Sequence, residues 1–222
     1  IGVIPAGRVR LVSSGAAGAS AFGGFCISSR WGLMAVQRTY VYVDGFNVYY
    51  RALRGTPHKW LNIEALVQAL LGPDNRIDMI RYFTAPVSGK LDADQPIRQD
   101  RYLRALRTLP NLTVHLGNFI SKPKVRPLET PLADGTTHVR VINTEEKGSD
   151  VNFATYLVHD AWQNLYDVAV VLTQDTDLCE PLRIVRREIG KEIGLVWLDG
   201  SKPGKMANDA SFVRHITPAR LA

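Results

Sequence analysis

The chain has 222 residues, 45% of them hydrophobic and 22% charged, with a formal net charge of +6. That is enough apolar material for one globular core without disulfides or structural metal, and no apolar run approaches the roughly 20 residues of a membrane span. The positive excess, with an isoelectric point near 9.4, favours an anionic partner, and Cys26 and Cys179 have no pairing or ligand spacing, so a reducing, cytoplasmic setting is expected.

Residues 1–38 contain no Asp or Glu, are rich in Gly, Ala and Ser, and show no sustained period until Met34-Ala35-Val36-Gln37-Arg38 leads into a first strand. They read as a disordered tail with the composition of a transit peptide, or as residues upstream of a start at Met34, the second reading being preferred. Residues 39–222 then form one domain. Tyr40-Val41-Tyr42-Val43 is a short buried strand closed by a turn at Asp44-Gly45-Phe46-Asn47. Helices are expected at Ile63 to Leu71 and Ile97 to Leu109, and strands at Ile77 to Phe83 and Leu112 to Leu116. Between Phe119 and Asn143, Pro123, Pro127 and Pro131 exclude helix and Asp134-Gly135 marks a turn, so this stretch is expected to be an irregular basic hairpin or loop.

Lys147-Gly148-Ser149-Asp150 opens a segment whose apolar residues Val151, Ala154, Leu157, Val158 and Ala161 recur at helical spacing. Asp167 to Leu172 is a continuous apolar run typical of parallel strands covered on both faces, followed at once by Thr173-Gln174-Asp175-Thr176-Asp177. A helix from Leu178 to Ile189 and a strand from Ile193 to Leu198 complete a βα-alternating pattern, which implies an α/β fold with a mostly parallel sheet. No internal repeat and no Gly-rich phosphate loop is present.

Four carboxylates and a carboxamide therefore stand where strands or helices meet turns: Asp44 with Asn47, Asp150, and Asp175 with Asp177. In open α/β sheets the ligand crevice lies at the carboxyl ends of the strands. Carboxylates gathered there repel one another unless a cation neutralises them, and hard oxygen donors suit Mg²⁺ or Mn²⁺ better than zinc. Each acid also has a plain structural alternative, an Asx turn for Asp44 and helix N-caps for Asp150 and Asp177. Asp175, directly beyond a buried strand, is hardest to explain in that way.

The ordered series Asp44-Gly45-Phe46-Asn47, Lys147-Gly148-Ser149-Asp150 and Gln174-Asp175-Thr176-Asp177-Leu178 resembles the NYN domains, the LabA-like branch of the PIN-like nuclease superfamily, over roughly Thr39 to Phe212. One departure is Thr173-Gln174, where relatives commonly carry a Ser-Gly pair. The resemblance implies a three-layer fold with central strand order 3-2-1-4-5 and a metal-dependent ribonuclease. On that basis Asp44 and Asp175 are the expected principal metal ligands, Asp150 and Asp177 bind metal directly or through water, and Asn47 orients a ligand or substrate oxygen. Divalent ions held so can activate water against a phosphodiester.

Lys122, Lys124, Arg126, Arg140 and Lys147 are the expected phosphate contacts. Arg98, Arg101, Arg104 and Arg107 form either a phosphate-tracking stripe or a solvated helix face, and Phe46, Tyr49 and Tyr50 either stack on unpaired bases or belong to the core. The expected partner is RNA, with a second copy of the chain or a protein regulator left open. The alternatives are a non-catalytic RNA-binding or regulatory module that keeps the acidic pocket, and a 5′-nuclease or small phosphohydrolase on a related sheet.

Overall fold

The computed structural model describes residues 36–89 and 92–221. Residues 1–35, and with them Cys26, Met34 and almost all of the stretch read as a tail, lie outside the described residues. The remainder of that stretch is not a tail: β1 (Gln37–Asp44) begins two residues before Thr39, and Arg38 is tied to Asp167 by an ion pair of 2.7 Å.

The chain runs from β1 into a short helix α1 (Gly45–Asn47) that widens into a π-helical stretch over Val48–Leu53, then α2 (Ile63–Leu70), β2 (Asn75–Thr84), α3 (Gln95–Leu106) and β3 (Leu112–Leu116). β4 (Asn118–Pro127) and β5 (His138–Lys147) follow as a hairpin, then α4 (Ser149–Trp162), β6 (Val168–Leu172) and α5 (Cys179–Arg183), the last continuing as a π-helical stretch over Ile184–Ile189. β7 (Glu192–Trp197), β8 (Phe212–His215) and α6 (Pro218–Leu221) close the chain. Among the described residues no helix is long and apolar enough to cross a membrane.

Six strands make one sheet in the order β3-β2-β1-β6-β7-β8, and every pairing is parallel. The five-strand order 3-2-1-4-5 is not matched. The fourth and fifth strands of the chain leave the sheet as a separate ribbon, and β8, four residues long, adds a sixth strand that its sequence is too short to announce.

Helices cover both faces of this sheet. On one side Val41, Val43, Ile80, Val168 and Val170 pack with Ile63, Leu66, Val67 and Leu70 of α2 and with Leu103 and Leu106 of α3. On the other, Tyr42, Phe83, Ala169, Val171 and Leu195 pack with Phe153 and Leu157 of α4 and Leu182 of α5. Residues alternate between the two cores along β1 and β6 because successive strand side chains point to opposite faces, which is why these strands read as unbroken apolar runs.

The chain crosses to β2 and β3 on one side of β1 and returns to β6 on the other. The carboxyl ends of β1 and β6, paired in register from Thr39↔Val168 to Val43↔Leu172, thus form the point at which the strand order reverses, the usual ligand position in such sheets.

The β4–β5 ribbon is regular rather than irregular: ten residue pairs run from Asn118↔Lys147 to Pro127↔His138. Pro123 and Pro127 are accommodated because each strand of an isolated pair has one edge whose N–H groups need no ladder partner. Nor is the ribbon strongly basic. Its five cations, Lys122, Lys124, Arg126, Arg140 and Lys147, are offset by Glu129, Asp134, Glu145 and Glu146.

Candidate active site at the carboxyl ends of β1 and β6

Asp44 is the last residue of β1 and only 7% exposed. The Asn47 backbone N–H donates to its Oδ1 at 3.0 Å, while the Asn47 amide and the Thr173 hydroxyl donate to its Oδ2 at 2.6 and 3.0 Å. Burial pushes the Asp44 carboxyl above its usual range, and these donors oppose the shift. Two bonds fill Oδ2 and one lone-pair direction remains on Oδ1.

Gly45 allows this packing. A Cβ there would lie 2.7 Å from the ring of Tyr82, so no other residue fits without displacing that buried side chain.

Thr173 links the two strand ends, since its Oγ also accepts from the Asp175 N–H at 3.1 Å. Asp175 caps the 3₁₀ turn Thr176–Leu178 by accepting from the Asp177 N–H at 3.0 Å. The cap role expected of Asp177 thus belongs to Asp175, and Asp177 is left exposed at the rim. Asp44 does have the turn role, accepting from Asn47 as the cap of α1.

Asp150 lies in the first turn of α4, whose cap position is held by Gly148, so Asp150 is not the cap. Asp150 is exposed as a residue, yet its carboxyl is pushed up to about 6, by desolvation and then by Asp44, Asp175, Glu146 and Asp177. Every one of these influences raises it. Four acidic side chains, three of them from two distant chain segments and Glu146 from just upstream, therefore act on one carboxyl, and no basic group is among its leading influences.

Several members of the site are silent in sequence. Glu146 reaches it because Gly117 lets the base of the ribbon close: a Cβ on Gly117 would stand 2.3 Å from Glu146 Oε1. Gln174 is 6% exposed, and neither polar atom of its amide makes a hydrogen bond within the described protein. It lies near enough to Asp199 to help hold that carboxyl low. Arg51 donates to Asn47 Oδ1 at 3.2 Å and approaches Asp199 to 4.0 Å.

The expected phosphate contacts divide between the two faces of the ribbon. Pairing and strand alternation put Phe119, Val125, Arg140, Ile142 and Glu146 on one face and Lys122, Lys124, Arg126, Glu145 and Lys147 on the other. The first face meets the site, through an edge-to-face contact of Phe119 with Phe46 at 5.7 Å and through Glu146. On the second, Lys124 and Lys147 pair with Glu145 at 2.5 and 3.2 Å and hold its carboxyl down at about 2. In α3, Arg98 pairs with Asp92 and Arg104 with Asp100, much as a solvated face would.

Among the described residues no group of three or more His, Cys, Asp or Glu side chains is placed as a ready-made metal cage. The donor chemistry nonetheless suits a hard cation: the carboxyls repel one another, the side chains of Asp150 and Asp177 make no hydrogen bond within the described protein, and the Gln174 amide is buried without a partner.

No family model matches the chain. It is similar to a curated protein, 6-hydroxy-3-succinoylpyridine 3-monooxygenase HspA of Pseudomonas putida, with 34% identity over 183 residues, covering 72% of this chain and 59% of that one. The chain thus spans less than two thirds of the length of the relative it matches. Among solved structures, the crystal structure of a protein of unknown function from Vibrio parahaemolyticus matches with a TM-score of 0.52 and 16% identity, over 82% of this chain and 94% of that chain. That likeness is one of fold, an α/β sheet flanked by helices.

Proposed function

We propose that this chain is a metal-dependent ribonuclease of the NYN type, with a PIN-like arrangement of its sheet and helices. The observation that carries the reading is the placing of Asp44, Asp150 and Asp175 about the switch point of a parallel sheet, where desolvation first and then the neighbouring acids raise the Asp150 carboxyl to about 6. Such a concentration of charge is costly without a cation.

Asp44, Asp150, Asp175 and Asp177 would hold Mg²⁺ or Mn²⁺. An ion held by these residues would supply Lewis-acid activation of water and offset charge on a leaving oxygen. Asn47 and Thr173 keep the Asp44 carboxylate turned so that Oδ1 retains an acceptor direction toward the site. Arg140, on the ribbon face that meets the site, is better placed for an RNA phosphate than Lys122, Lys124 or Arg126.

The decisive experiment is cleavage of a labelled structured RNA in Mn²⁺, Mg²⁺ and EDTA, beside Asp175→Asn. Asparagine keeps the acceptor that caps the 3₁₀ turn, so the variant folds. Metal-dependent cutting lost in the variant supports the nuclease. RNA binding with no cutting in either ion overturns it in favour of a regulatory RNA-binding module.

A second reading is an activity on a hydroxypyridine such as the HspA relative's name describes, favoured by the identity over 183 residues. Turnover of 6-hydroxy-3-succinoylpyridine by the protein, with RNA left intact, would establish it in place of the nuclease.

A further inference from the structure

A cavity of about 150 Å³ has Gly45 and Phe46, the two residues that follow Asp44, in its lining. Its walls are aromatic. Phe46 and Tyr50 stack at 6.4 Å, and Trp60 and Tyr102 meet edge to face at 6.3 Å. Trp60 and Tyr50 are 57% and 49% exposed, which is costly for rings of this size unless something covers them. A cavity of roughly 150 Å³ with apolar walls is the size that takes up a single benzene ring.

Two polar groups in the lining lack partners. Tyr82 is 6% exposed, and its hydroxyl, which makes no hydrogen bond among the described residues, is not a sealed-in orphan but opens to the cavity, where it can meet a ligand. Lys59 makes no ion pair among the described residues, while Arg98 on the same wall is engaged by Asp92. Gln99 is already committed to the backbone of Val87 and Ala85.

We propose that this cavity binds one planar heteroaromatic ring carrying an anionic substituent, the ring stacked among Phe46, Tyr50, Trp60 and Tyr102, a ring acceptor on the Tyr82 hydroxyl, and the anion on Lys59. Two sources share that chemistry: an unpaired nucleobase with its phosphate, and a free aromatic acid such as a hydroxypyridine carboxylate. The first deepens the nuclease reading, because it seats a base beside the acidic centre. The cavity itself does not rest on that reading.

The test is titration of the full chain with a nucleoside 5′-monophosphate, a hydroxypyridine carboxylate and the ringless control ribose 5-phosphate, followed by calorimetry. Trp60→Ala and Lys59→Gln alter exposed side chains and leave the fold intact; Tyr82→Phe removes only the hydroxyl. At least one ring-bearing anion is expected to bind about tenfold or more tighter than ribose 5-phosphate, with about a tenfold loss in Trp60→Ala and weaker binding in the other two. Saturation by the nucleotide alone assigns the cavity to a nucleobase, and saturation by the pyridine alone assigns it to a small aromatic acid. Equal binding of ringless and ring-bearing anions, or binding indifferent to Trp60→Ala and Lys59→Gln, overturns the inference. Asp175→Asn keeps the ring binding, so RNA left uncut by a protein that still binds the ring refutes the nuclease alone. RNA cut by a protein whose ring binding ignores the cavity variants refutes the cavity alone.

Discussion

Asp150 illustrates how neighbours rather than identity give a residue its chemistry. In a helix's first turn a carboxylate is ordinarily stabilised by the helix dipole, yet here desolvation and four other acids raise its carboxyl to about 6. The folded value exceeds that of the unfolded chain, near 3.9. Its protonation thus stabilises the fold, fully below about pH 4, and that contribution is lost as pH rises through 6. Asp150→Asn in EDTA should therefore stabilise the protein at pH 7.5, read as a higher melting temperature, by about 1 kcal/mol or less because the residue is exposed and water screens it. At pH 4 the two proteins should melt together. Gly45 makes the opposite case, a residue with no chemistry that decides geometry. Gly45→Ala drives a Cβ to 2.7 Å from the Tyr82 ring and should cost about 1–3 kcal/mol in urea unfolding, with weaker ring binding in the adjoining cavity.

At the scale of elements, the β4–β5 ribbon stands apart from the rest. Its side chains are largely exposed, including Val125 and Ile142 at 65% and 68%, and its ladder pairs only with itself. Its contribution is thus to the surface beside the site. Joining Ser121 to Thr144, which face each other in the register, by a two-residue Asn-Gly turn removes the outer ribbon without disturbing Glu146. The shortened protein should unfold within about 0.5 kcal/mol of the parent, as changes away from packed or strained sites do, and should bind RNA more weakly. A large loss of stability would show that the ribbon supports the core after all. The prolines of β4 disguise this element in the sequence: Pro123 and Pro127 argue against strand wherever both edges are paired, and only a free-standing ribbon makes them harmless.

For the molecule as a whole, one buried network ties the sheet to α4. Asp160 is fully buried and accepts from the Tyr42 hydroxyl at 2.7 Å and from Arg81 Nε and Nη2 at 2.6 and 3.0 Å. Arg81 also lies over the Tyr156 ring at 4.5 Å. Removing one partner strands a buried charge, so Asp160→Ala should destabilise by about 3–5 kcal/mol in denaturant titration. A loss under 1 kcal/mol would mean that water reaches Arg81 in the variant. Nothing around Asp160 in the sequence foreshadows this role: it sits in an amphipathic helix like any solvated acid, and its partners are 79 and 118 residues away.

What the sequence determined by itself is the central strands, the helices that follow them and the ends at which the acids stand. Val41 to Val43 and Val168 to Leu172 are apolar on both faces, so they must be central strands, and the acids that follow them must lie at their carboxyl ends. The tertiary structure alone decided what stands beside those acids. Pairing of β1 with β6 brings Thr173 to Asp44, closure at Gly117 delivers Glu146, and strand alternation parts Arg140 from Lys122, Lys124, Arg126 and Lys147. Tyr82, Trp60 and Tyr102 meet around one cavity although 42 residues separate Trp60 from Tyr102 along the chain. Periodicity is a property of neighbours along the chain, whereas charge repulsion, burial and ring packing depend on neighbours in space, which long-range pairing alone selects.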